Sequence, residues 1–278
     1  MVESNQKVTA MQINNWIRDG KKIIIREDLT KIELKNEAMD SSIGRNNERE
    51  VNLTKVGTMI YEDNGKHRYV NINVADTSEK FITSTFERVL ESDFSTLDSK
   101  EPKIISDSSV STTRSLSSWN IADSTTSFDA HRGADVRSSL IVYEDPSAPS
   151  SGGKYYHFAE YRIDADKRAV EGTVHFIKEI EVKLKNYSGT ILKIVPESDI
   201  SHSSSITISY PWGASLPIDF GRKIIATKTG GGISSNFVQY LVKSTDYYTP
   251  ELDFLEGAMT SSSDNTYLCR IILHEICC

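Results

Sequence analysis

The sequence predicts a mainly β protein: an antiparallel β-sandwich or jelly-roll-like fold with one or two short helices and a Ser/Thr-rich flexible segment. Three observations carry this. About eleven short runs rich in β-branched and aromatic residues follow one another along the 278 residues, they are separated by Gly, Pro, Asn and Asp turn signals, and no regular strand–helix–strand alternation interrupts them.

The elements follow in order. Residues 1–20 form an N-terminal arm whose Met11, Ile13, Trp16 and Ile17 allow a short helix. The run Ile23-Ile24-Ile25 opens a region, 21–94, expected to hold a β-hairpin and a helix packed on the main sheet. TMIYEDNGKHRYVNINV places two strand-like runs around Asn64-Gly65, residues that tolerate the positive φ of a tight turn. Asp76 with Glu79 reads as a capping start for a helix over 78–92, in which Phe81, Ile82, Phe86, Val89 and Leu90 recur at helical spacing. Residues 95–135 are so rich in Ser and Thr that they read as a flexible loop or linker. A sandwich core is expected over 136–278, with strands at SSLIVYE, KYYHFAEYRID, TILKIV, SITISYP, RKIIATK, NFVQYLVK and YLCRIILHEI. In AVEGTVHFIKEIEVKLKN a long strand pattern breaks near Ile177-Lys178-Glu179, where a β-bulge is expected. Thr249-Pro250-Glu251 reads as an N-cap with Pro at the first helical position, and Gly257 as the end of a short helix.

Composition narrows function. The net charge of −7 argues against a protein that coats nucleic acid with its whole surface. The charge is uneven, however: residues 167–243 carry ten Lys and Arg against six Asp and Glu, so a nucleic-acid surface belongs there. No apolar run approaches the roughly 18 residues of a membrane-spanning helix, and the N-terminus lacks the basic and apolar stretches of a secretory signal. A cytosolic-type compartment with reduced thiols is the expectation for Cys269, Cys277 and Cys278. The terminal Cys277-Cys278 pair resembles the doubly prenylated ends of Rab-type GTPases, which leaves a peripheral membrane contact open.

Catalytic patterns fail. Gly152-Gly153-Lys154 is followed by Tyr, and Gly230-Gly231-Gly232 lacks a following Lys, so both read as turn glycines rather than phosphate loops. The histidines stand singly, His157 and His175 beside aromatics in strand patterns, where a structural role is expected. Asp164 with Asp166, and Asp253 with Glu256, read as surface carboxylates. Cys269 and His274 fall five apart on a strand and so face opposite sides, which disfavours a metal site. No enzyme activity, metal or cofactor is expected.

A binding surface is the alternative. Lys183 and Lys185 share the solvent face of a strand whose Val182 and Leu184 point inward. With Lys193, Arg222, Lys223 and Lys228 on neighbouring strands they make a candidate phosphate-binding patch, although Glu179 and Glu181 intersperse them.

The order of features over 174–216 resembles the core of the plant-virus cell-to-cell movement proteins of the thirty-kilodalton superfamily. Val174-His175 opens a strand, GTILKIV ends a loop, PESD supplies an Asp, and YPWGASL follows on a later strand. Asp199 matches the family's Asp, and Tyr210, Pro211, Gly213 and Leu216 match its later stretch. The resemblance implies a jelly-roll-like domain that binds single-stranded nucleic acid or viral nucleocapsid, self-associates as a homo-oligomer, and works in the host cytoplasm, at the cell periphery or at plasmodesmata. The acidic total and the 95–135 segment depart from that pattern. Two other readings stay open: a β-pore-forming toxin, motivated by the polar stretch 106–128, and a viral matrix or capsid protein.

Overall fold

The structure, a computed structural model, describes residues 9–27, 53–63, 65–94, 119–146, 155–167, 169–170, 173–174, 177–186, 189–211, 215–245, 249, 251–262 and 269–274. Among the described residues two helices form, α1 (Ala10–Arg18) and α2 (Glu79–Glu91). The strands are β1 (Ile23–Arg26), β2 (Thr54–Asp63), β3 (Lys66–Val74), β4 (Asn120–Ala130), β5 (Ala134–Glu144), β6 (Tyr155–Lys167), β7 (Ala169–Val170) and β8 (Thr173–Val174). They continue with β9 (Glu179–Asn186), β10 (Thr190–Val195), β11 (Ile200–Ser209), β12 (Ser215–Gly231), β13 (Phe237–Ser244), β14 (Glu251–Ser262) and β15 (Cys269–His274).

Eight strands form one sheet in the order β1-β2-β3-β4-β5-β6-β14-β10, five form a second in the order β11-β12-β13-β9-β15, and β7 pairs with β8. The mainly β, sandwich-type expectation therefore holds. Among the described residues all strand pairings but one are antiparallel; β3 and β4 run parallel, Ile72 opposite Phe128. A parallel pair needs a long crossover, and α2 lies in it.

Because side chains alternate across a strand, each row of opposed residues shares a face. On one face of the large sheet, Val136 and Leu140 of β5, Tyr161 and Ile163 of β6, Leu252 and Phe254 of β14 and Ile191 of β10 are buried against the small sheet. From the small sheet come Val182 and Leu184 of β9, Ile224 and Ala226 of β12, and Val238 and Tyr240 of β13. On the other face lie two smaller clusters. Val70, Ile72, Phe128 and Ala130 pack against Ile82 and Val89 of α2. Ile141, Tyr143, Phe158 and Leu255 pack against Ile208 and Tyr210, at the end of the β11–β12 hairpin.

That hairpin is fastened by a buried polar group. The Tyr210 hydroxyl donates to Glu160 Oε2 at 2.7 Å, and Arg162 Nε donates to Glu160 Oε1 at 2.7 Å. Phe158 meets the Tyr210 ring edge-on at 5.4 Å. Glu256, directly opposite Tyr161, points the other way, into the space between the sheets. It is fully buried, and among the described residues neither carboxyl oxygen meets a hydrogen-bond donor.

Several expectations hold and several do not. The Asn64-Gly65 hairpin forms, with Gly65 at φ +75° and β2 against β3. Its strands join the large sheet edge-on rather than packing upon it. The helix predicted over 78–92 is α2; Ser78 takes the N-cap position, Asp76 Oδ1 accepts from Ser78 N at 2.9 Å, and Glu79 pairs with Arg26 instead of capping. The helix expected after Thr249 is instead β14: Leu252, Phe254 and Ala258 alternate into the core, a period of two that outweighs the Thr-Pro start. The 95–135 segment divides. Residues 95–118 lie outside the described residues, while Asn120–Ala130 form β4, held by β3 and β5, and β5 begins at Ala134. The bulge expected at 177–179 is a change of partner, since β8 pairs with β7 and β9 with β13 and β15.

Two predictions follow from these buried groups. Tyr210→Phe strands one oxygen of buried Glu160 without its donor, and should lower unfolding stability by about 1–3 kcal/mol in urea titrations. The second concerns pH. Burial pushes Glu256 well above the usual carboxylate range, and lifts Asp129 to about 6 despite the hydrogen bond it accepts from Asn73. Burial, then neighbouring Asp164, lifts Asp253 to about 7. Each keeps its proton in the folded state where the unfolded chain has lost it, so their stabilisation is full below the ordinary carboxylate range and is lost as pH rises through the folded values. His131, lowered by burial to about 4, acts oppositely below its ordinary value. Asp129→Asn should therefore remove on the order of 3 kcal/mol of the fall in stability between pH 4 and pH 8. Glu256→Gln should flatten the same curve, read from urea midpoints at each pH.

Candidate nucleic-acid interface

The six candidate cations occupy five places. Lys183 and Lys185 lie on β9, where Val182 and Leu184 on the alternate positions are buried in the sandwich. Lys183 and Lys185 therefore lie on the outer face of the small sheet, as expected. Lys183 is nevertheless only 8% exposed, because β9 is flanked by both β13 and β15, and its Nζ stands 4.9 Å from the centre of the Phe237 ring. Lys223 lies on the same face of β12 but at the far end, beside Thr245, whose backbone N–H donates to its carbonyl. Arg222 has the alternate parity and is tied to Thr249 Oγ1 at 2.7 Å and Glu251 at 3.1 Å. Lys228 is exposed on β12, opposite Tyr240 and next to the register shift before Gly230. Lys193 belongs to β10, on the edge of the other sheet, with Glu197 3.8 Å away.

Strand register supplies a row that the sequence did not single out. Phe237 of β13 stands opposite Lys185 of β9, which stands opposite Arg270 of β15. The next row is Gln239, Lys183 and Ile272, and the one after it Leu241, Glu181 and His274. Charge thus changes sign along the face. At the acidic end Gln239 donates to Glu181, and Lys243 pairs with Glu179 at 2.9 Å. At the other end Lys185 lies between the aromatic position 237 and the cationic position 270. Phe237 was legible only as a strand residue, since its opposition to Lys185 depends on pairing across 52 positions of sequence.

Two of the residues matched to the movement-protein pattern, Asp199 and Tyr210, hold parts of the fold together. Asp199 Oδ1 accepts from the Lys228 backbone N–H at 2.9 Å, locking the β10–β11 connection to β12. Tyr210 is the clamp on Glu160, and Pro211 follows it in a half-buried turn. Leu216 stands opposite Ile208 in the β11–β12 hairpin, and Gly213 lies outside the described residues.

The carboxylates combine differently from their sequence spacing. Asp164 stands opposite Asp253, and Arg137 holds Asp164 at 2.5 Å and Asp166 at 2.8 Å, all on the face of the large sheet away from Glu256. This is an ion-paired cluster on a sheet surface. His157 is buried among strand neighbours, 2% exposed, and His175 lies outside the described residues. Among the described residues no three His, Cys, Asp or Glu side chains converge as a metal site. Of the 106–128 stretch, the part from Asn120 lies within β4.

No family model matches the chain, and no curated protein matches it. Among solved structures it is similar to the delta-toxin of Clostridium perfringens, with 12% identity, a TM-score of 0.34, and coverage of 54% of this chain and 77% of the toxin.

Proposed function

We propose that this protein is a non-enzymatic binding protein that takes single-stranded nucleic acid on the outer face of its small sheet. The observation that carries the reading is the Phe237–Lys185–Arg270 row, with Lys183 over the Phe237 ring. Single strands without sequence preference are held by cations that follow the backbone and by aromatic faces on which bases stack. A sheet face offering both at one end suits that chemistry. Lys185 supplies the phosphate contact and Phe237 the stacking platform, while Lys183 steadies the ring. Together with the resemblance over 174–216, such a face fits a viral movement or accessory protein. It would cover single-stranded nucleic acid or nucleocapsid as a homo-oligomer, at the host cell periphery.

The test is retention of single-stranded RNA by the full chain. Binding is expected to weaken steeply with salt, with a log–log slope of about −0.7 for each phosphate contact. Lys185→Glu should reduce that slope, and Phe237→Ala should weaken binding by about 1–3 kcal/mol. A wild-type chain that does not retain RNA at low salt, or a Lys183→Glu, Lys185→Glu double variant that is folded and binds as tightly, would show the surface to be wrongly assigned.

A further inference from the structure

At one end of the molecule two aliphatic side chains are held out in water: Ile233 is 62% exposed and Leu192 41%. Each is put there by its backbone. In the β10–β14 pairing the register shifts between Ile191 and Lys193, so Leu192 is the extra residue of a β-bulge. Bulges re-aim side chains. Here Ile191 is buried at 1% and its neighbour is turned out.

Ile233 sits in the β12–β13 connection, where the backbone is left-handed at Gly231 (φ +65°), Gly232 (φ +121°) and Ser234 (φ +69°). Glycine is required at 231, since a Cβ there would stand 2.0 Å from the Phe237 carbonyl oxygen. A serine in left-handed conformation is strained, and such strain persists only where surroundings enforce it. The surroundings are visible. Gly232 N donates to Phe237 O at 2.8 Å, and the Ser235 hydroxyl donates to Gly232 O at 2.7 Å. Ser234 N donates to Ile191 O at 2.8 Å, and Ile191 N donates to Ser235 O at 2.7 Å. The last two bonds join the turn to β10 next to Leu192, so the two aliphatic residues belong to one rigid tip. A loosely held turn would fold Ile233 back onto the protein; this one cannot.

The tip is ringed by charge. Lys228 Nζ lies 3.7 Å from the point where a Cβ on Gly232 would stand, Lys193 follows Leu192, and Lys185 precedes Asn186, whose N–H donates to Asn236 O at 2.7 Å. Against these three lysines stand Glu197, 3.8 Å from Lys193, and Asp199, which accepts the Lys228 backbone N–H.

We infer that the tip formed by Ile233 and Leu192 docks on the surface of an anionic lipid bilayer, the two aliphatic chains entering the headgroup boundary and Lys228, Lys193 and Lys185 meeting the anionic headgroups. Aliphatic side chains offer bases no stacking face, which disfavours nucleic acid at this point. Two of them are too small a patch for a stable protein partner, which needs about 800 Å² on each side. A bilayer asks only for shallow apolar insertion with nearby cations. The inference shares Lys185 with the nucleic-acid reading but rests on different apolar groups, because Ile233 and Leu192 lie outside the Phe237–Lys185–Arg270 row.

The experiment is co-sedimentation of the full chain, free of nucleic acid, with vesicles of phosphatidylcholine alone and of phosphatidylcholine mixed with phosphatidylserine. The mixed vesicles should retain the protein several-fold better. Leu192→Ser with Ile233→Ser should reduce retention about tenfold or more, and Lys228→Glu about fivefold or more, with circular dichroism unchanged. Ile233→Trp should strengthen binding, a gain that misfolding does not produce. Absence of wild-type binding, equal binding to both vesicle types, or full retention by the double Ser variant each overturns the proposal. Loss of RNA retention in the double Ser variant would assign the tip to nucleic acid and overturn it as well.

Discussion

Strands β6 and β14 are covered on both faces, and the rest of the architecture depends on how they pair. Their register runs unbroken from Glu251 opposite Asp166 to Ser262 opposite Tyr155. Along it Tyr161, Ile163, Leu252 and Phe254 face the small sheet, while Phe158 and Leu255 face the β11–β12 hairpin. A slip of one residue in either strand would exchange its two faces. It would carry Glu160 away from Tyr210 and Arg162, which donate to its carboxylate, and bring Tyr161 to the hairpin side. Two buried glutamates on opposite faces thus have different standing. Glu160 is bonded and fixes a hairpin, whereas Glu256 meets no hydrogen-bond donor among the described residues, and burial raises its pKa and so favours its neutral form.

Much of this was legible as period. Strands buried on one face announce themselves by alternation, and Val182, Leu184 and Lys183, Lys185 divide between faces of β9 as their spacing requires. The Asn-Gly hairpin and α2 were legible from local chemistry, a turn tolerant of positive φ and an apolar stripe at helical spacing. Local chemistry also misled. Thr249-Pro250 satisfies the start of a helix, yet proline is equally at home before a strand, and the alternation of Leu252, Phe254 and Ala258 was the stronger signal.

β4 was hidden for another reason. Its sequence, NIADSTTSFDA, has few apolar residues because its first half is exposed and only its last residues, Phe128 to Ala130, are buried. Serine and threonine suit such a position. They satisfy a strand's exposed face without burial, and the strand is held by backbone bonds to β3 and β5. Composition over a long window averages this short buried end with its polar surroundings, so a sheet strand reads as a linker. The parallel pairing of β4 with β3 compounds the problem, since nothing local encodes a partner on the far side of α2.

Charge follows the same logic. The excess of Lys and Arg over 167–243 does not become one patch, because antiparallel strands send neighbouring residues to opposite faces and opposite ends. Arg222 and Lys223 are adjacent in sequence and diverge across the sheet; Lys193 joins the other sheet altogether. The informative signal is finer than net charge. Along the outer face of β9 the order Glu179, Glu181, Lys183, Lys185 changes sign once, and β13 answers it with Lys243 and Gln239 at the acidic end. The acidic end is thereby neutralised within the sheet. The cationic end meets Phe237, a ring that can share positive charge but cannot cancel it. Lysine is therefore gathered where the small sheet meets the β12–β13 tip, at Lys183, Lys185 and Lys228, and both anionic partners proposed above would approach this end first.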